Sequence, residues 1–128
     1  MTEDNDKLRQ AYYGELARIG QAVANPNRLM LLDHLSRDQE TVEGLAKLTG
    51  LTVANASQHL QRLKEARLVE SEKNGLQVFY RLADPAVTHF YESLRTIAEK
   101  RLLALRSIIQ QFRSRPDTLE GVELEEGK

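Results

Sequence analysis

The segment from residue 41 to residue 82 constrains this chain more than any other, because two short helical patterns are followed there by a hairpin pattern. Thr41 precedes the first helical pattern and Thr52 precedes the second, and a short polar side chain at such a position can cap a helix. Gly50 lies between the two patterns, where a left-handed C-cap is favoured. Two short helices joined by a tight turn that contains glycine are typical of the helix-turn-helix motif.

A β-hairpin is predicted directly after the second helix. Residues 68–72 and 77–82 form two extended patterns, and Asn74-Gly75 between them suits the positive φ angles of a type I′ turn. A hairpin in this position would be the wing of a winged helix-turn-helix. A structural alternative stays open, in which the hairpin only covers the helix-turn-helix core.

The outward face of the second helix carries side chains that suit the edges of DNA bases. Asparagine and glutamine can contact adenine, serine can contact several bases, and small apolar groups can contact thymine methyls. We therefore predict that this helix enters the major groove. Arg62, Lys64 and Arg67 lie further along and could reach phosphates. The predicted DNA-binding residues are Thr52, Val53, Ala54, Asn55, Ser57, Gln58, Gln61, Arg62, Lys73, Asn74 and Gln77. The alternative is a solvated polar face on an ordinary helix.

The composition predicts one globular domain without a membrane span. The chain has 128 residues, of which 41% are hydrophobic. No run approaches the roughly 18 to 20 apolar residues that cross a bilayer. The charged N-terminus has no apolar signal segment, so we expect a cytoplasmic protein. Cysteine is absent, which excludes disulfides, thiolate metal sites and thiol redox sensing within this chain.

The charge distribution supports DNA binding only weakly. The formal net charge is −1, but residues 52–82 hold five basic and three acidic residues. A locally positive reading unit of this kind is a weak electrostatic footprint. Glu70 and Glu72 on the first predicted strand must point away from phosphate, or the wing contributes little. Two copies of the unit on one DNA site would double the positive charge, which favours a dimer.

Helical patterns also precede the central segment, and an unpatterned stretch ends the chain. A first helix is predicted over about residues 5–24, and Asn25-Pro26 ends it and starts the next helix. We predict that residues 5–112 form a single DNA-binding and dimerisation domain. Residues 113–128 are acidic and lack a helical pattern, so they are predicted to be a flexible tail or linker.

A long amphipathic helix is predicted from about residue 85 to residue 112, after a cap at Asp84. Its apolar stripe is longer than a core of this size can cover, and the simplest partner is a second copy of the chain, with the first helix packed alongside. The alternative is packing within one chain. The predicted dimer-interface residues are Leu8, Tyr12, Leu16, Phe90, Leu94, Ile97, Leu102, Leu105 and Ile109.

Three stretches carry a family resemblance, namely ANPNRLMLLDHL, TVEGLAKLTGLTVANASQHLQRLKEARLVE and VFYRLADPAV. Together they resemble the ArsR family of bacterial winged-helix repressors, over roughly residues 8–112. A closer similarity, in LTVANASQHL, is to the branch in which this domain precedes a rhodanese domain. The resemblance implies a mostly α fold with a small β-hairpin, in which four helices, the hairpin and a fifth helix follow one another. It also implies dimerisation through the first and fifth helices.

The same resemblance implies binding to an imperfect palindrome in an operator, and repression of transcription. It places DNA contacts on Val53, Ala54, Ser57 and Gln58. Many members of the family have Gln and Ser where this chain has Val53 and Ala54. That departure means that an operator sequence cannot be carried over from the family.

Many repressors of this family release DNA when they bind a metal, but the residues for such a switch are missing here. One type of site uses cysteines, which this chain lacks. Another type of site lies on the last helix, and its ligand positions correspond here to Asp84, Ala86, Ile97 and Lys100. Only Asp84 among these could bind zinc, which needs three or four ligands. His89 with Glu92 is a two-ligand fragment, and its alternative is a solvated helix face. We predict no metal and no other cofactor, and the inducer stays unknown.

These patterns predict a homodimeric, sequence-specific transcriptional repressor whose partner is double-stranded operator DNA and not a membrane. The alternative is a winged-helix protein-interaction module that lacks specific DNA binding, which the near-neutral charge and the acidic wing strand favour. An enzyme is not predicted. The sequence shows no nucleophile paired with a base, no glycine-rich phosphate loop and no metal constellation.

Overall fold

The computed structural model of the protein describes residues 2–115, which form six helices and three strands. The helices are α1 (Thr2–Val23), α2 (Pro26–Leu35), α3 (Val42–Thr49), α4 (Val53–Glu65), α5 (Pro85–Arg101) and α6 (Leu103–Ser114), and the strands are β1 (Glu40–Thr41), β2 (Val69–Asn74) and β3 (Gln77–Leu82). Helices α2, α3 and α4 followed by the β2–β3 hairpin have the order of a winged helix-turn-helix, so the predicted fold class is confirmed. In the described part of the chain, no helix is long and apolar enough to cross a membrane.

Helices α2, α3, α4 and α5 begin at the predicted capping residues, and α3 ends at the predicted glycine. Thr41 and Thr52 each accept a hydrogen bond of 3.0 Å from the backbone N–H three residues further on. Asn25 and Asp84 cap α2 and α5 by accepting from backbone N–H groups two or three residues further on, and each is followed by a proline in the first turn. Gly50 ends α3 with a left-handed φ of 79°, a conformation that costs glycine little. Local signals therefore define the start of α4, the helix that the sequence predicts to read DNA.

The hydrophobic core lies between α2, α3, α4 and the start of the wing. Burying one large aliphatic side chain contributes about 1.5–3 kcal/mol, so a handful of such residues can hold three short helices together. The largest fully buried side chains are Leu31, Leu32, Leu45, Leu60, Leu63 and Val69. Because α4 contributes two of them, its orientation relative to α2 and α3 is set from inside the domain.

The sheet has a third strand in addition to the predicted hairpin. Its order is β1–β3–β2, and all neighbours are antiparallel. Glu40 pairs with Tyr80 and Thr41 with Phe79. A strand of two residues has no alternation that a sequence could display, and therefore only the tertiary pairing reveals it. This pairing joins the N-terminus of α3 to the wing.

The turn of the wing differs from the prediction. Asn74 pairs with Gln77, so the two loop residues are Gly75 and Leu76. Gly75 has a φ of 67°, but neither Asn74 nor Leu76 has a positive φ. A type I′ turn centred on Asn74-Gly75 needs positive φ at both residues, and that prediction is wrong. A glycine at the first loop position is instead the preference of a type II′ turn.

The helix predicted from about residue 85 to residue 112 is interrupted, so the prediction of one continuous helix is wrong. Leu102 adopts an extended conformation, with φ −103° and ψ 113°, between α5 and α6. The Arg106 guanidinium donates from Nη2 to the Lys100 carbonyl at 2.7 Å and from Nε to the Glu99 carbonyl at 3.3 Å. These bonds satisfy carbonyls at the end of α5, which a helix end leaves without partners. The apolar periodicity continues through the break at Leu102, and therefore the sequence pattern did not reveal the break.

The tail predicted over residues 113–128 falls largely outside the described residues. Helix α6 ends at Ser114, slightly beyond the predicted boundary, and the structure describes the chain as far as residue 115. The tail and the domain boundaries stay predictions.

Arg67, in the turn between α4 and β2, is the only non-glycine residue with a positive φ in residues 2–115, at 63°. A left-handed conformation costs a residue with a Cβ about 1–2 kcal/mol. We expect Arg67→Gly to raise the free energy of unfolding by about 0.5–1 kcal/mol, because relief of this strain outweighs the added freedom of the unfolded chain. Urea denaturation measures the difference. Arg67→Ala is the control, and an equal stabilisation by alanine would contradict the backbone explanation.

Candidate nucleic-acid interface

Helix α4 has one buried side and one exposed side. Ala56, Leu60 and Leu63 are fully buried against α2 and α3. The predicted DNA-binding residues of α4 and of its cap are all exposed, namely Thr52, Val53, Ala54, Asn55, Ser57, Gln58, Gln61 and Arg62. The structure therefore brings these eight side chains together on the solvent side of one rigid helix.

The turn between α3 and α4 is closed by short-range hydrogen bonds. The Gly50 N–H donates to the Ala46 carbonyl at 2.9 Å, and the Thr49 hydroxyl donates to the Leu45 carbonyl at 2.7 Å. The Leu51 N–H donates to the Thr49 hydroxyl oxygen at 3.3 Å. These bonds pair the Gly50 and Leu51 N–H groups and the Thr49 hydroxyl inside the protein, which helps to keep the exposed side of α4 at a defined angle to α3.

The acidic residues of the wing are paired with a cation on the neighbouring strand. Arg81 lies 3.2 Å from the Glu70 carboxylate and 3.5 Å from the Glu72 carboxylate. These pairs are exposed and contribute little stability, but they offset the negative charge of β2. Three further predicted DNA-binding residues lie exposed at the tip of the hairpin, namely Lys73, Asn74 and Gln77. They form a group separate from the residues on α4.

A side-chain contact joins α4 to the base of the wing. Lys64 Nζ donates to the Ser71 hydroxyl at 2.8 Å. The sequence predicts a phosphate contact for Lys64 and assigns no role to Ser71, because nothing in the local pattern links a helix residue to the following strand. This bond holds the wing beside one flank of α4.

A second contact joins the other flank of α4 to α1 and α2. Arg28 of α2 donates to the carbonyls of Ala22 and Gln21 at the end of α1. Its Nη1 lies 3.3 Å from Nδ1 of His59 on α4. Burial, and then the nearby Arg28 charge, lower the pKa of His59 below its ordinary value. The neutral imidazole is the form that can accept a hydrogen bond at Nδ1. The sequence did not indicate this contact between Arg28 and α4.

An apolar stripe runs along α1 and α5, which we define as Leu8, Tyr12, Leu16, Phe90, Leu94 and Ile97. These side chains are between 36% and 69% exposed in the single chain. Tyr13, which the sequence did not single out, is 60% exposed and packs edge-to-face with Tyr12. Exposed apolar surface on this scale is typical of an interaction site. Of the remaining predicted interface residues, Leu102 lies at the helix break, and Leu105 and Ile109 are half-buried on α6.

A buried carboxylate links α2 to α5. Asp33 is only 5% exposed, and Arg37 Nη2 donates to it at 3.0 Å. The Tyr91 hydroxyl on α5 also bonds to Asp33, and burial followed by the Asp33 charge raises the pKa of that hydroxyl above its ordinary range. The Arg95 guanidinium lies 6.0 Å from the centre of the Tyr91 ring. The network ties the helix that carries part of the apolar stripe to the helix-turn-helix core.

Potential metal ligands do not cluster in residues 2–115. No group of three or more histidine, aspartate or glutamate residues lies close enough together to bind a metal ion. His89 and Glu92 are both exposed on α5. Asp84, the one residue of the last-helix site that could bind a metal, accepts a 2.7 Å hydrogen bond from the Ala86 N–H as the cap of α5.

Comparison with known proteins places this geometry in context. A family model described as a helix-turn-helix domain matches residues 23–72. The HTH-type transcriptional regulator Rv0324 of Mycobacterium tuberculosis is 35% identical over 94 residues, which are 73% of this chain and 42% of that protein. The HTH-type transcriptional regulator YgaV of Escherichia coli is 30% identical over 69% of this chain and 90% of its own length. The chain thus spans nearly all of YgaV but less than half of Rv0324.

A solved structure agrees with both the fold and the sequence matches. It is the homodimeric winged helix-turn-helix DNA-binding domain of Mb0332 from Mycobacterium bovis, described as a possible ArsR-family transcriptional regulator. The identity is 35%, the match covers 73% of this chain and 87% of the other, and the TM-score is 0.70.

Proposed function

Because the chain belongs to the ArsR family of winged helix-turn-helix transcriptional regulators, we propose that it is a homodimeric repressor that binds double-stranded operator DNA. One observation carries the proposal. The eight predicted contact residues of α4 and its cap are exposed together on a helix whose other side is fixed in the core. The family acts by binding DNA and not by catalysis.

The exposed side of α4 enters the major groove, with its N-terminal residues nearest to the bases. Gln58 and Asn55 contact adenine edges, Ser57 contacts an adjacent base, and Val53 and Ala54 contact thymine methyls. The wing lies beside the groove and brings Lys73 towards the backbone. This division separates contacts that read sequence from contacts that only position the protein.

The apolar stripe of α1 and α5 packs against the same surface of a second copy. A two-fold axis then relates two copies of α4, and the operator is palindromic, with half-sites about one helical turn or roughly 10 bp apart. The homodimeric state of the Mb0332 domain supports this arrangement. We further infer that the chain is closest to the rhodanese-linked branch, which the stretch LTVANASQHL supports.

We expect Gln58→Ala to weaken binding to the operator about tenfold for each half-site, because a bidentate contact to a base contributes about 1–3 kcal/mol of discrimination. Binding to a random duplex should stay unchanged, since phosphate contacts are retained. Footprinting on the DNA upstream of the gene locates the operator, and fluorescence anisotropy on operator and random duplexes gives both affinities.

Gln39→Ala is the matched control, because Gln39 is exposed but lies in the connection before β1. Equal losses on operator and random duplexes in Gln58→Ala would contradict base reading by α4. A wild-type protein with no sequence preference and no salt dependence would instead favour the protein-interaction module, because phosphate contacts release counterions.

A further inference from the structure

A cleft of about 430 Å³ lies between α4 and the helices α1 and α2. Arg18 of α1, Arg28 of α2 and Arg62 of α4 line it, together with Gln21, Ala22, Glu65 and Ala66. We call this feature the arginine cleft. Three different helices thus each contribute one guanidinium group to one concave surface, against a single carboxylate from Glu65.

The arginine cleft and the wing lie on opposite flanks of α4. Lys64, which bonds to Ser71 of the wing, is two residues from Arg62 and therefore about 200° away around the helix axis. Arg62 also lies one turn from Gln58, on the side of the helix that we assign to DNA. The edge of the arginine cleft is therefore continuous with the reading side of α4.

The guanidinium of Arg28 is held in place before any ligand arrives. Its Nε bonds to the Ala22 carbonyl, Nη2 lies 3.4 Å from the Gln21 carbonyl, and Nη1 lies 3.3 Å from Nδ1 of His59. Each terminal nitrogen of a guanidinium carries two N–H groups. These contacts use one N–H on each, so one N–H donor on Nη1 and one on Nη2 are left for a ligand. A pre-positioned guanidinium loses little conformational freedom when it binds an anion.

The other two arginines can turn towards an anion at small cost. Arg62 has no hydrogen bond or ion pair in residues 2–115. Arg18 pairs with Glu15 at 3.2 Å, but both side chains are more than half exposed. An exposed pair of this kind contributes little, so an exchange of Glu15 for a phosphate costs little.

We propose that the arginine cleft holds a backbone phosphate of the DNA strand that borders the major groove on the α1 side of α4. The inference rests on the proposed function, since it requires α4 to lie in the groove. A helix in the major groove has a sugar–phosphate backbone on each side, and the wing accounts for one of them. Arg18 brings α1, the helix that carries half of the apolar stripe, into contact with the DNA itself.

Arg18→Ala tests the proposal through the salt dependence of DNA binding. Each neutralised phosphate contributes about 0.9 to the slope of log K against log salt. Because Arg28 and Arg62 still face the same phosphate in Arg18→Ala, the slope should fall by a measurable part of about 0.9 per protomer. Between about 50 and 200 mM salt, the variant should then lose affinity less steeply than the wild type, with a difference of up to about threefold per protomer. The change should be the same on operator and random duplexes, because a phosphate contact carries no sequence information.

Arg9→Ala is the matched control. Arg9 lies on the same helix and forms the same kind of exposed pair, with Asp6 at 2.8 Å, but it does not line the arginine cleft. It should leave the slope unchanged. A slope in Arg18→Ala equal to that of Arg9→Ala would overturn the proposal. Size-exclusion chromatography of both variants checks that their oligomeric state matches the wild type.

A second arm separates DNA phosphate from a free anion. Inorganic phosphate is added to the protein at constant ionic strength, and the melting temperature is recorded for the wild type and Arg18→Ala. The contrary result is that phosphate raises the melting temperature of the wild type only, while the wild type and Arg18→Ala show equal salt slopes for DNA binding. In that case the cleft binds a free anion, and the proposed DNA contact is overturned. The Gln58→Ala experiment tests the proposed function separately, because it measures sequence preference and not the salt slope.

Discussion

The variant Ile97→Glu should be monomeric and should bind operator DNA about a hundredfold more weakly than the wild type. Ile97 is 62% exposed and lies one helical turn from Leu94 and two turns from Phe90 in the apolar stripe. A carboxylate buried in an apolar interface loses its water without gaining a partner, which costs several kcal/mol. A monomer also loses the second half-site, and linked binding of two sites commonly contributes a factor of about 10² to 10⁴.

His89→Glu is the control for this prediction. It introduces the same carboxylate on the same helix, but His89 is exposed on α5 and lies outside the apolar stripe. Sedimentation velocity gives the oligomeric state, and fluorescence anisotropy gives the affinity for the operator. A dimeric Ile97→Glu protein with wild-type affinity would contradict the role of the apolar stripe.

The variant Asp33→Ala should lose about 3 kcal/mol of the free energy of unfolding. Removal of one partner from a buried charged network costs about 3–5 kcal/mol, because the remaining polar groups stay buried without compensation. Asp33 is 5% exposed and serves both Arg37 and the Tyr91 hydroxyl. Arg37 is partly exposed and can regain water, which places the expected loss at the lower end of that range.

Asp6→Ala is the matched control, since Asp6 also pairs with an arginine within one helical turn but is 60% exposed. It should cost no more than about 0.5 kcal/mol, as exposed pairs do. Tyr91→Phe removes one donor and should cost about 1 kcal/mol. Urea denaturation at one fixed protein concentration measures all three, because the stability of a dimer depends on concentration. Equal losses in Asp33→Ala and Asp6→Ala would show that the buried network contributes nothing.

The helix-turn-helix could be predicted because its signals are local. A threonine cap acts on a backbone N–H three residues away, and the left-handed turn at Gly50 depends on the residue type alone. The exposed side of α4 follows from the same logic, because the spacing of Ala56, Leu60 and Leu63 already defines the buried side. The candidate DNA-binding surface on α4 was therefore available from the sequence.

The wing and the last helix were predicted less accurately, for a physical reason that applies to both. The strand register, which the whole sheet sets, decides whether the turn is Asn74-Gly75 or Gly75-Leu76. The break at Leu102 depends on Arg106 reaching back to the carbonyls of α5. Neither interaction changes the hydrophobic periodicity, so no pattern of apolar residues records it.

By itself, the sequence determined the order of the helix-turn-helix and the hairpin, the N-terminal caps of α2 to α5, the buried and exposed sides of α4, and the apolar stripe that one chain leaves exposed. Only the tertiary structure decided which polar side chains meet. Arg28 and His59 are 31 residues apart in the chain, and Asp33 meets Tyr91 from a different helix. Periodicity specifies which way a side chain points along its own helix. The partner of a polar side chain depends on how the helices pack, and the apolar core sets that packing.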